Sequence, residues 1–91
     1  MENQDILRRI IIAIRGYFIL ERAHQNGMPE NRRAEEIRRM HAHLQQIIAE
    51  SSNYNYNPNS RLSAYLQYAM QIVERLSNEL ATYDENNRTG I

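Results

Sequence analysis

The chain predicts an all-α protein: three amphipathic helices, the first two folded as an antiparallel hairpin, with two copies pairing into a homodimeric helical bundle. Three observations lead there. Apolar residues recur at spacings of three and four through three long runs, which is the period of a helix face. The two prolines and three glycines are scarce and mostly fall where those runs break. The first run also carries apolar residues around about half of its circumference, wider than one core stripe, and so wants neighbours on more than one side.

The first helix is expected near 3–25. Ile6, Ile10, Ala13, Tyr17 and Leu20 form one stripe, with Leu7, Ile11, Ile14 and Phe18 beside it. Ile12, Gly16, Ile19 and Ala23 follow on another side at spacings of four, three and four. Gly16 weakens a helix interior but permits close backbone approach. Asn26-Gly27-Met28-Pro29 then reads as a helix C-cap followed by a proline opening the next helix. The short connection makes the first two helices antiparallel neighbours. Of the wide apolar surface, Ile10, Ile14, Tyr17 and Phe18 are the expected homodimer interface.

The second helix is expected near 30–51. Ile37, Met40, Leu44, Ile47 and Ile48 share its apolar face, with His41 at the edge. The polar stretch Ser51 to Asn59 is a loop, and Asn59 or Ser60 can cap a third helix near 60–84. That helix carries Leu62, Leu66, Ala69, Val73, Leu76, Leu80 and Tyr83, alternating four and three. Residues 1–84 make a single domain, and 85–91 a disordered tail.

At 91 residues the chain is near the lower limit at which a monomer buries a comfortable core, which a homodimer would relieve. No cysteine is present, which excludes disulfides and thiolate metal sites. The start MENQDILRR lacks a signal-peptide layout, because the apolar stretch Ile10 to Ile14 is short and interrupted by Arg15. No run approaches bilayer-spanning length. The expectation is a cytoplasmic protein.

All eleven basic side chains are arginine; there is no lysine. Arg8, Arg15 and Arg22 recur every seven residues, and Arg32-Arg33 and Arg38-Arg39 are doublets. Arginine presents a planar, permanently charged fork suited to carboxylate or phosphate oxygens. Ion-pair networks and nucleic-acid backbone binding are therefore the first readings. Loss of ubiquitin-attachment sites and an overlapping reading frame also account for missing lysine, and composition does not separate these. A net charge of zero opposes nucleic-acid binding, but the arginines cluster within residues 8–39, and distribution matters more than the sum.

Catalysis and metal binding find no support. His41 and His43, two apart, point to nearly opposite sides of a helix, whereas helical zinc pairs need spacings of three or four. No Ser-His-Asp constellation, glycine-rich phosphate loop or nucleophile elbow occurs, and no cofactor is expected. Carboxylates at helix spacing suggest surface pairs: Arg32 with Glu36, Glu35 with Arg38 or Arg39, and Glu36 with Arg39. Tyr54 and Tyr56 could stack on bases, but without adjacent arginines they read rather as one tyrosine capping the bundle and one solvated.

The second helix carries the candidate interface. Arg32, Arg39, His43 and Gln46 share its polar face, flanked by Arg38 and the doublet partner Arg33 and continued by Asn53. From Arg32 to Gln46 the row spans about 21 Å, roughly doubled in an antiparallel dimer. Such a surface can follow one side of a duplex without entering a groove. That suits A-form RNA, whose major groove excludes side chains and whose shallow minor groove displays 2′-hydroxyls. The plain alternative is a solvated face laced with Glu35 and Glu36.

The layout Pro29-x-Asn31-x-Arg33, then His41-Ala42-x-Leu44, then Pro58-x-Ser60 leading to Ala64-Tyr65-Leu66 resembles the small RNA-silencing suppressor of insect nodaviruses. The likeness covers roughly residues 3–66. More loosely, Gln71-Ile72-Val73-Glu74-Arg75 is similar to the third helix of the RNA-binding domain of the influenza nonstructural protein. Both likenesses imply a helical homodimer that binds double-stranded RNA by shape and so blocks host recognition or dicing. The nodavirus likeness places RNA contacts near His43, Gln46 and Asn53. Gln46 and Asn53 stand where that family has basic residues and Glu35 where it has an arginine; Arg32, Arg38 and Arg39 occupy neighbouring turns. The long third helix is a departure from that pattern.

The expected function is thus sequence-independent binding of double-stranded RNA that suppresses host RNA silencing by sequestration. Host silencing proteins are a further class of partner that the residues do not resolve. The rival is a helical protein–protein adaptor that uses the wide apolar surface of the first helix or the heptad of the third.

Overall fold

The computed structural model describes residues 3–53 and 57–89. They form three helices, α1 (Asn3–Gln25), α2 (Glu30–Ser51) and α3 (Arg61–Thr89). The expectation for Tyr54 and Tyr56 lies outside the described residues.

The α1–α2 turn follows from its sequence. Gly27 has φ 107°, a conformation open to glycine without strain. Its N–H donates to His24 O at 3.1 Å and that of Met28 to Ala23 O at 3.2 Å, the paired bonds of a Schellman cap. Pro29 is the extended N-cap of α2, its carbonyl accepting from Arg33 N at 2.9 Å. Asn57 Oδ1 accepts from Asn59 N at 2.9 Å, and Ser60 Oγ accepts from Ser63 N at 3.3 Å. Ser60 is therefore the cap, and α3 starts one residue later than expected.

The far end of α3 departs further. It is helical to Thr89, not to 84, so the expected disordered tail is already helix over 85–89. Nothing from Asp84 to Thr89 is proline or glycine, so no residue there forces a stop. Residues 90 and 91 lie outside the described residues.

The chain runs up, down, up. Arg9 pairs with Glu50 and His24 with Glu30, which fixes α1 and α2 as antiparallel. Phe18 meets Tyr68, and one Arg33 guanidinium holds both Glu21 and Glu79, so α3 runs parallel to α1. The core takes Ile6, Ile10, Ala13, Ile14, Tyr17 and Leu20 from α1, Ile37, Leu44 and Ile47 from α2, and Leu62, Leu66, Ala69, Ile72 and Leu76 from α3. Among the described residues no helix is long and apolar enough to cross a membrane.

This core corrects the expected dimer interface. Ile10, Ile14 and Tyr17 are 0, 6 and 2 % exposed within a single chain, so they have nothing to offer a second copy. The physical reason is that α3 packs along α1 as well as α2, so the three helices of one chain bury these residues among themselves. Of the four, Phe18 stays at the surface, with Ile12 and Ile19 exposed on another side of α1.

Gly16 faces α2, where an added Cβ would lie 3.3 Å from Met40 Cε. That contact is the far end of a flexible, half-buried side chain. Gly16→Ala is therefore expected to raise monomer stability by about 0.5–1 kcal/mol through helix propensity. Urea unfolding at low protein concentration checks it, and a loss of stability would mean that Met40 has no room to shift.

Candidate nucleic-acid interface

The helical period sorts the arginines by face. On α1, Arg8, Ile12, Arg15, Ile19 and Arg22 alternate at spacings of four and three and are all exposed. Arg8, Arg15 and Arg22 make no ion pair with any described residue. On α2, Arg32, Arg39 and Gln46 recur every seven residues, with Asn53 seven beyond, just past the helix end, and His43 one turn from Arg39. All five are exposed. Their only ion pair among the described residues is Arg39 Nη1 to Glu36 Oε1 at 3.5 Å, a loose contact with the arginine side chain 76 % exposed.

Between these rows runs a groove of about 440 Å³. Gly16, Ile19, Leu20, Ala23, Met28 and Met40 make its apolar floor, and Arg32, Arg39 and His43 stand on the α2 rim with Glu36. Met28 and Ala23 meet here because the Schellman turn brings the chain back over the last turn of α1. The surface is thus an apolar furrow with Arg32 and Arg39 on its α2 rim.

Two residues assigned to this interface from sequence stand elsewhere. Arg33 is 3 % exposed and belongs to the interior. Its Nε donates to Glu79 Oε2 at 2.8 Å, while Nη2 donates to Glu21 Oε1 at 2.6 Å and Glu79 Oε1 at 2.9 Å. One guanidinium thereby joins all three helices, and no phosphate can reach it. The adjacent residue Arg32 lies roughly 100° around the helix and stays outside. Arg38 is exposed but faces α3, where it pairs with Asp84 at 3.0 Å. It does not flank the Arg32–Arg39 row.

The Arg33 junction extends through Tyr83, whose hydroxyl donates to Glu30 and more weakly to Glu79, and through His24 Nε2 at 3.0 Å from Glu30. The Arg33 hydrogen bonds hold the Glu79 carboxyl below its usual range. The Tyr83 hydroxyl, and then His24, do the same for Glu30. Burial, followed by the Glu30 contact, pushes the Tyr83 phenol well up.

Of the expected surface pairs only Glu36–Arg39 forms among the described residues. Arg9 with Glu50, a bidentate pair at 2.7 and 3.0 Å between residues 41 apart, was not foreseen. His41 is half-buried and His43 exposed, on different sides of α2. Among the described residues no group of His, Asp and Glu could hold a metal ion. Comparison with protein families, curated proteins and solved structures finds no match.

Proposed function

We propose that the chain is a homodimeric, sequence-independent binder of double-stranded RNA that suppresses RNA silencing in the host cytoplasm by sequestering duplexes. The observation that carries this reading is the uncommitted cationic surface of the α1–α2 layer. Arg8, Arg15, Arg22 and Arg32 have no acidic partner among the described residues, and Arg39 has only a loose one. Charges left unpaired in a protein otherwise rich in arginine–carboxylate pairs are available to phosphates. His43, Gln46 and Asn53 lie on the same outer side of α2, where they can reach ribose hydroxyls, the group that distinguishes RNA from DNA. The polar row lies along the side of α2, a helix packed in the bundle, so contacts to backbone and shape dominate in this reading.

The second copy packs on the stripe Ile12, Gly16, Ile19 and Ala23, of which Ile12 and Ile19 are exposed and Gly16 and Ala23 half-buried. Large and small side chains alternate along it. An antiparallel α1–α1 pairing sets Ile12 against the partner's Ala23 and Ile19 against the partner's Gly16, filling each notch with a branched side chain. The α2 rows of the two copies then flank a common face.

Arg39→Ala is expected to weaken RNA binding evenly across sequences and to lower the slope of log K against log salt by about one. Fluorescence anisotropy of labelled duplexes at several salt concentrations reads both, with matched DNA duplexes as reference. Loss confined to particular sequences, or equal affinity for DNA, would contradict the reading. The apolar groove floor favours a second reading, a helical adaptor, which gains if the dimer forms and no RNA binds.

A further inference from the structure

One surface feature is used neither by the core nor by the duplex face. Phe18 and Tyr68 stack across the α1–α3 seam with ring centroids 6.2 Å apart and planes at 27°. Phe18 remains 51 % exposed and Tyr68 38 %. Large aromatic rings normally contribute by burial, so two left this open on adjoining helices present aromatic surface to solvent.

Several of the charges around them are guanidiniums. Arg15 and Arg22 stand one turn to either side of Phe18, and neither has an ion pair among the described residues. Arg75, two turns beyond Tyr68, donates from Nη1 to Tyr17 Oη at 3.1 Å, so its guanidinium lies over the same seam. The carboxylates that α1 and α3 contribute nearby, Glu21 and Glu79, are both engaged by Arg33. Flat aromatic faces ringed by guanidiniums suit a ligand with planar rings and anionic links. Bases stack on the rings while phosphates meet the arginines. A partner helix fits less well, because it needs a continuous apolar row. The exposed residues one turn to either side of Tyr68 are Ala64 and Gln71, while Tyr65 is half-buried and Ile72 buried.

We propose that the Phe18–Tyr68 seam is a stacking platform for unpaired RNA, taking a single-stranded end or break that adjoins the duplex on the α1–α2 layer. In this form the inference rests on the duplex-binding reading, but it assigns its own stacking residues, Phe18 and Tyr68, and a separate substrate element. Arg15 and Arg22, on the ridge between the two faces, serve the phosphates where single strand meets duplex.

The test compares two labelled RNAs of about 20 base pairs, one blunt and one with a short oligouridine 3′ extension. Wild type, Phe18→Ala, Tyr68→Ala and Tyr68→Phe are titrated with each, and thermal melts check that these surface changes leave the fold intact. The extension is expected to tighten wild-type binding by about tenfold for each base stacked. Phe18→Ala and Tyr68→Ala should remove that gain and leave blunt affinity unchanged, while Tyr68→Phe should keep it. Equal affinity of wild type for both RNAs overturns the platform, as does equal weakening of both by Phe18→Ala. If wild type ignores blunt duplex, the duplex reading fails, and free oligouridine decides the platform. Binding of that strand, lost in Phe18→Ala, upholds it; no binding overturns it and leaves the seam to a protein partner.

Discussion

Replacing Arg33 with alanine is expected to cost about 3–5 kcal/mol of folding stability, because it strands two carboxylates against the interior. Domains of this kind have about 5–15 kcal/mol in total, so the variant loses a large fraction of its stability. At about 4–8 °C per kcal/mol for a chain of this size, its melting midpoint should fall by at least about 12 °C. Arg39→Ala, with its side chain in solvent, should stay within about 0.5 kcal/mol of wild type. Urea unfolding of the two variants separates a structural arginine from a surface one. A loss below about 1 kcal/mol for Arg33→Ala would mean that water replaces the guanidinium at Glu21 and Glu79. Arg33→Lys should recover only part of the loss, since an ammonium lacks the fork that spans both carboxylates.

The same junction sets an acid limit. Glu79 and Glu30 titrate below the usual carboxylate range when folded, so their contribution is fully present above the unfolded value of about 4.3. It is lost as pH falls through the lower folded values. Stability is therefore expected to hold level from neutral pH to about pH 5 and then decline. In Arg33→Ala the decline should be shallower, because the main cause of the Glu79 shift has gone.

How far this was legible in the sequence depends on the range of each interaction. The α1–α2 turn was readable because Gly27, Met28 and Pro29 act within a few residues of one another. The overrun of α3 is not evident in the sequence because chain ends usually fray, although asparagine and aspartate only lower helix propensity without ending a helix. Arg33 was misplaced by its doublet, yet the spacing of Arg33, Ile37, Leu44, Ile47 and Ser51 puts it in the buried row of α2. A strict helical projection would have found it. Its partners are another matter, since Glu79 lies 46 residues away and no local pattern announces the contact. Ile10, Ile14 and Tyr17 are apolar as read, but they are buried in the three-helix core of a single chain. Periodicity shows that a face is buried, not what buries it. The uncommitted state of Arg8, Arg15 and Arg22 became visible only once the other arginines had found their carboxylates.

The double change Ile12→Gln and Ile19→Gln is expected to convert the proposed dimer to a monomer and to weaken duplex RNA binding by about 10²–10⁴-fold, the gain that two linked rows give over one. Both side chains are largely exposed, 58 and 70 %, so their replacement should leave the monomer fold and its melting midpoint at low concentration unchanged. Glutamine adds no charge, so a loss of RNA affinity cannot be ascribed to repulsion of phosphate. The logic is geometric: one α2 row spans about 21 Å from Arg32 to Gln46, and only a second copy extends it along the duplex. Sedimentation and anisotropy on the same samples separate the links. A dimer that survives the double change must use another face, with Phe18 and Tyr68 the next surface to test. A clean monomer that binds RNA as tightly as wild type would show that one row suffices. Gly16→Ala tests the same pairing from the opposite side: it fills the notch proposed for the partner's Ile19, so the change that should stabilise the monomer should also weaken the dimer.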